Sequence, residues 1–89
     1  MRTNEYSIMA EKLKVIAHPH RLSVVRTLIE NEESNVKSIQ DWIGISQSSA
    51  SQHLAKLRAA GIVEGTRTGS EVSYKVIDDK IKKIIKCLF

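Results

Sequence analysis

Between Glu5 and Ala17, apolar Tyr6, Met9, Ala10, Leu13, Ile16 and Ala17 recur at steps of three and four residues, one face of a predicted amphipathic helix. Ile8 and Val15 lie off that stripe, seven residues apart, so this helix has two apolar surfaces to cover. Pro19 suits the first turn of a second helix, where its missing N–H would have no intrahelical partner. Leu22, Val25, Leu28 and Ile29 form the inward stripe of that helix, up to the polar run from Asn31 to Asn35. A short third helix follows, capped by Ser34 or Asn35. It carries Val36, Ile39, Trp42 and Ile43 and is closed by Gly44 as a left-handed residue. Only two residues on, Ser46 is an N-cap for a fourth helix with Ala50, Leu54 and Leu57 pointing inward, and Gly61 stops it. Two short helices joined by Gly44-Ile45-Ser46 are a helix-turn-helix by spacing and punctuation.

After Gly61 the period changes to two. Ile62-Val63 begins a strand, Thr68-Gly69-Ser70 is turn chemistry, and Val72, Tyr74 and Val76 alternate along a return strand. Asp78 caps a last helix on which Ile81, Ile84, Ile85 and Leu88 share a face. The predicted fold is mainly α with a small β-hairpin, in the order α-α-α-α-β-β-α. That is a winged helix-turn-helix occupying residues 1–89 as a single domain.

Composition narrows the reading. Eighty-nine residues, 42% hydrophobic and 27% charged, describe a folded domain rather than a disordered chain. A chain of this length buries only about 60–65% of the surface its unfolded form exposes, so a lone subunit is marginal. Its single cysteine, Cys87, offers neither an intrachain disulfide nor a zinc knuckle. A partner subunit is the remaining source of core. The second strip of the first helix (Ile8, Val15) and the last-helix face (Ile81, Ile84, Ile85, Leu88) are the expected homodimer interface. With no apolar run of 18 residues and no apolar signal core at the start, the expectation is a cytoplasmic protein without membrane contact.

The net charge of +4 is modest, but its distribution is informative. Residues 34–61 carry Lys37, Lys56 and Arg58 against Asp41 alone, and four lysines crowd the last helix. Within the fourth helix, Gln47-Ser48-Ser49-Ala50-Ser51-Gln52-His53 contains one apolar residue and no Glu, Lys or Arg. Serine costs helix stability relative to those residues, and short uncharged donor–acceptor side chains are what approach base edges in a major groove. With Leu54 and Leu57 as anchors, Gln47, Ser48, Ser51 and Gln52 project from the half of the helix that touches bases in a helix-turn-helix. Lys37, Ser49, Lys56 and, at the hairpin tip, Arg67, Thr68 and Ser70 are candidates for phosphate or minor-groove contact. His53 either donates to a phosphate or lies beside Leu54 and Leu57 at the edge of the core. Arg67 and Lys75 could instead pair with Glu64 and Glu71 across the hairpin; that reading is preferred for Lys75, and DNA for Arg67.

At these residues the chain resembles the ArsR/SmtB family of bacterial dimeric winged-helix repressors. The resemblance is carried by Ala17-His18-Pro19-His20-Arg21-Leu22, by Ile45 to Leu54, by Leu57-Arg58-Ala59-Ala60-Gly61-Ile62-Val63, and by the wing from Arg67 to Tyr74. More narrowly it resembles the metal-independent PagR-type branch, through Asn35-Val36 and Ile84-Ile85-Lys86. The resemblance implies a dimer built from the first and last helices, with Gln47, Ser48, Ser51 and Gln52 at the base-contact positions.

The departures from that family concern sensing. The third helix lacks the family Cys-x-Cys, and Asp78-Asp79 on the last helix has no following His to complete a tetrahedral set. No metal and no cofactor are therefore expected. His18 and His20, at i and i+2, would not share a helix face and are read as surface or capping residues. Trp42 is read as core or inter-helix packing. Cys87 is a small buried hydrophobe on one reading and a redox switch through a Cys87–Cys87′ bridge on another. No catalytic constellation is visible. The expected partner is a double-stranded, inverted-repeat operator bound by a homodimeric repressor. The rivals are a redox-responsive repressor acting through Cys87 and a winged-helix protein–protein interaction module.

Overall fold

The computed structural model describes residues 3–89. Five helices, α1 (Thr3–Ile16), α2 (Pro19–Asn31), α3 (Val36–Ile43), α4 (Gln47–Ala59) and α5 (Asp79–Leu88), enclose one core. A sheet of β1 (Ser34–Asn35), β2 (Val63–Thr68) and β3 (Glu71–Val76) closes one side in the order β1-β3-β2. This is the winged helix-turn-helix that the pattern predicts, with one strand more. The added β1 is the polar turn after α2, whose Ser34 and Asn35 pair antiparallel with Tyr74 and Ser73. Two residues carry no period, so only the β3 edge beside them makes them a strand.

The helices α2 to α5 each start where a cap falls. His18 has extended backbone (φ −153°, ψ 131°) and its Nδ1 accepts the backbone N–H of His20 at 3.1 Å, capping α2 ahead of Pro19. Asn35 accepts from Ser38 N–H at 2.8 Å, and Ser46 Oγ from Ser49 N–H at 3.1 Å. Asp78 Oδ1 accepts from both Lys80 and Ile81 N–H at 3.0 Å. Gly44 ends α3 at φ 78°, and its N–H reaches Gln40 O at 2.7 Å. The left-handed turn there is open to glycine at no steric cost, and it sets the angle between α3 and α4.

The core is Ile16 of α1, Val24, Val25 and Leu28 of α2, Ile39 of α3, Ala50, Leu54 and Leu57 of α4, Ile62, the strand pair Val63 and Val76, and Ile81 and Ile85 of α5. Burying side chains of this size is worth about 1.5–3 kcal/mol each. Three anchors of α4 thus hold the rest of that helix at a fixed orientation. In the hairpin, Gly65 faces Tyr74, and a Cβ there would meet the ring at 2.9 Å, so the tyrosine lies across the glycine.

Three expectations are corrected. On α1, only Ile16 is fully buried, with Met9 and Val15 packed partly against the core. Tyr6, Ala10, Leu13 and Ala17 of the expected inward stripe are exposed. Periodicity shows that two apolar strips exist but not which one faces the subunit's own core. Trp42 is also exposed, because α3 turns Ile39 into the core, with Val36 and Ile43 packed partly against it, and Trp42 falls off that face. Ile81 and Ile85, expected at a subunit interface, are already fully enclosed by their own chain and have no surface left to bury. Among the described residues no helix is long and apolar enough to cross a membrane.

Candidate nucleic-acid interface

The exposed side of α4 is built as its sequence suggests. Gln47, Ser48, Ser51 and Gln52 are all exposed and lie at i, i+1, i+4 and i+5, side by side over one and a half turns. Ser49 is half-buried, where the Ser46 cap holds its N–H. No acidic residue lies in the helix; its charges, Lys56 and Arg58, sit in the last turn, where they complement the helix dipole.

At the N-terminal end of α4 the wing closes in. Lys37, Gln47, Ser70 and Tyr74 line one cleft between α3, α4 and the hairpin, with Asn35 and Glu71 linked by a 3.5 Å hydrogen bond along it. Arg67, Thr68 and Ser70 are exposed at the tip, and Gly69 turns it at φ 65°. The cross-strand partner of Arg67 is Val72, whereas Lys75 stands opposite Glu64 with an ion pair of 3.6 Å. The hairpin therefore pairs Lys75 internally and leaves Arg67 at the tip. Lys37 lies 3.9 Å from Asp41, with both side chains in solvent, a geometry of little energetic weight.

Beside the middle of α4 lies a second cluster, one that spacing does not reveal. Arg21 Nε donates to His53 Nδ1 at 3.2 Å, and Arg21 Nη1 donates to Val15 O at 3.0 Å, tying α1, α2 and α4 together. The rings of His18, His20 and His53 surround one point, with centroids 4.9–5.5 Å apart. Partial burial, then the charges of Arg21, His20 and Lys56, hold the His18 imidazole below its ordinary pKa. Burial, then His18, Arg21, His20 and Lys56, do the same to His53. His53, read from the sequence as either a phosphate donor or a core-edge residue, is half-buried and bonded to Arg21. Arg21 directly follows the two histidines in the sequence, but its partner lies 32 positions away, so nothing in the sequence signals the cluster.

Both α1 and α5 leave apolar side chains uncovered. Tyr6, Ile8, Leu13, Leu88 and Phe89 are exposed, while Val15 and Ile84 are half-buried. Arg26 stacks over the Phe89 ring at 4.5 Å. Cys87 is exposed on the same terminal turn, not buried as a small hydrophobe.

Comparison with known proteins agrees with this fold. Residues 16–66 match the family described as helix-turn-helix domain. The chain is 39% identical over 79 residues to the transcriptional repressor PagR of Bacillus anthracis, covering 89% of this chain and 79% of that protein. It is also 39% identical over 88 residues to the biofilm growth-associated repressor of Xylella fastidiosa, covering 99% and 74%. The crystal structure of the Bacillus anthracis PagR repressor superposes with a TM-score of 0.92 at 35% identity, over 99% of this chain and 100% of that one.

Proposed function

The chain belongs to the ArsR/SmtB-type winged-helix regulators, in the PagR-like branch, and from that premise we propose that it represses transcription by binding promoter DNA. The observation that carries this reading is the face of Gln47, Ser48, Ser51 and Gln52, uncharged and exposed on a helix anchored by Ala50, Leu54 and Leu57. Exposed helix surfaces normally carry Glu, Lys and Arg; here the serines sacrifice propensity, and Ser and Gln alike can donate to or accept from base edges. Lys37, Ser49, His53, Lys56, Arg67, Thr68 and Ser70 flank it and are assigned to phosphates, with Arg67 alternatively in the minor groove. No catalytic role is assigned to any residue.

The repressor acts in the cytoplasm as a homodimer, with recognition helices in successive major grooves of an inverted repeat. Supporting this is the apolar surface of Ile8, Val15, Ile84 and Leu88, extended by Tyr6 and Leu13, on a subunit of marginal size. Selection of bound duplexes from a random pool tests the reading. It expects one enriched inverted repeat, with half-sites about one helical turn or a small multiple of it apart. Recovery of no sequence above background would overturn it.

A further inference from the structure

We propose that His18, His20 and His53 form a binding site for a single first-row transition-metal dication, with Zn²⁺ as the type ion. One potential ligand atom from each of the three residues lies within 4.8 Å of the other two. Three imidazoles on one tetrahedral ion, with Zn–N of ~2.0–2.1 Å, have ring centres roughly 5 Å apart and ligand nitrogens roughly 3.3 Å apart. The ring centres here are 4.9, 5.5 and 5.5 Å apart. The rings already stand at the spacing of a ligated set, and closing it means turning nitrogens inward by at most about 1.5 Å rather than moving helices. His20 is exposed and free to turn.

Spacing along the chain argues against His18 and His20 sharing a helix face. Pro19 removes the objection. Because it opens α2, His18 is the extended N-cap and not a helical residue, and its ring folds back over the first turn to meet that of His20. His53 then arrives from α4. Three neutral nitrogen donors with an open fourth position suit Zn²⁺, Ni²⁺ or Cu²⁺, and not Mg²⁺ or Ca²⁺, which require oxygen. The nearby Arg21 and Lys56 favour an anion, chloride or hydroxide, at that fourth position.

The hydrogen bonds define what loading must change. The Nδ1 lone pairs of His18 and His53 accept from His20 N–H and Arg21 Nε. Ligation through Nδ1 takes these lone pairs, and ligation through Nε2 moves the ring proton onto Nδ1. Either way the ion competes with Arg21 for His53, one residue beyond Gln52, and is placed to bias α4. That last consequence rests on the DNA-binding reading; metal binding itself does not.

The experiment uses tag-free Cys87→Ser protein without DNA at neutral pH, which removes the exposed thiol as a competing ligand. Zn²⁺ is titrated by calorimetry and Co²⁺ by its visible d–d absorption. One saturable equivalent is expected, with the ring resonances of all three histidines shifting together on addition of Co²⁺. His20→Ala spares the cap of α2, because that bond uses the His20 backbone N–H, and should weaken binding at least tenfold, as should His53→Ala. Absence of a saturable equivalent, undiminished affinity in His20→Ala, or a Co²⁺ effect that leaves any of the three rings unmoved would overturn the proposal. The ring-resonance arm needs no histidine variant, so misfolding of His20→Ala or His53→Ala does not weaken the test.

Discussion

Arg21 and His53 are joined at 3.2 Å across α2 and α4, and the other arm of the same guanidinium holds the carbonyl of Val15 at the end of α1. One side chain thus ties α4, the proposed recognition helix, to both α1 and α2. Rigid presentation matters for base reading, because a side chain misplaced on a loose helix loses its bidentate geometry.

The proposed base-reading face and the wing should respond differently to substitution. Gln52→Ala should weaken the selected operator by about 1–3 kcal/mol and relax preference at one position per half-site. Its salt dependence should hardly change, because an uncharged side chain releases no counterion. Arg67→Ala should weaken specific and scrambled duplexes alike and lower the salt slope by roughly one unit per contact. Fluorescence titration over a salt series checks both, and identical behaviour of the two variants would refute the division of the surface.

The proposed subunit interface should be separable from the buried core. Leu88 is 61% exposed, so Leu88→Glu should leave the fold intact and drive the protein to monomer in sedimentation equilibrium, with operator affinity falling as a result. Ile85→Ala, at a fully buried position, should instead destabilise the subunit by about 2–5 kcal/mol in urea unfolding. A wild type that sediments as a monomer at micromolar concentration would remove the interface altogether.

The end of α2 contains strain that one substitution should relieve. Glu32 sits at φ 65°, ψ −51°, with Glu33 N–H bonded to Asn31 O at 2.7 Å, the three-residue turn that side chains disfavour. Glu32→Gly should therefore stabilise the protein by roughly 1 kcal/mol, seen as a raised urea midpoint. A lowered midpoint would show that Glu32 makes a contribution beyond its backbone.

Acid should unfold the protein over two windows. Burial alone would raise the Asp78 pKa, but its bond from Lys12, the Ile81 N–H, the Lys12 charge and the Lys80 N–H together hold it below the ordinary value. A depressed carboxyl contributes stability that is complete above its unfolded value of about 3.9 and is lost as pH falls through the folded one. His18 and His53 are depressed as well, so the fold favours their neutral rings. Their contribution is complete above about pH 6.5 and shrinks as pH falls below it. Urea unfolding across a pH series should show both declines. Asp78→Asn should flatten only the lower one; an unchanged lower decline would mean that other carboxylates carry it.

Local chemistry determined most of this molecule. Ser46, Asn35 and Asp78 cap the helices they were read to cap, Gly44 makes the left-handed turn between α3 and α4, and Ala50, Leu54 and Leu57 are buried as their spacing requires. These features depend on residues within one or two turns, so the chain specifies them without knowing its own tertiary contacts. What the tertiary structure decided lies between distant segments. Periodicity found two apolar strips on α1, but only the approach of α2 and α4 chose Met9, Val15 and Ile16 for the core and left Tyr6 and Leu13 outside. The same enclosure took Ile81 and Ile85 from the surface into the core. The meeting of His18 and His20 with His53 had no sequence signature, because it needs the extended cap before Pro19 and a helix more than thirty residues further along, and only packing brings those two together.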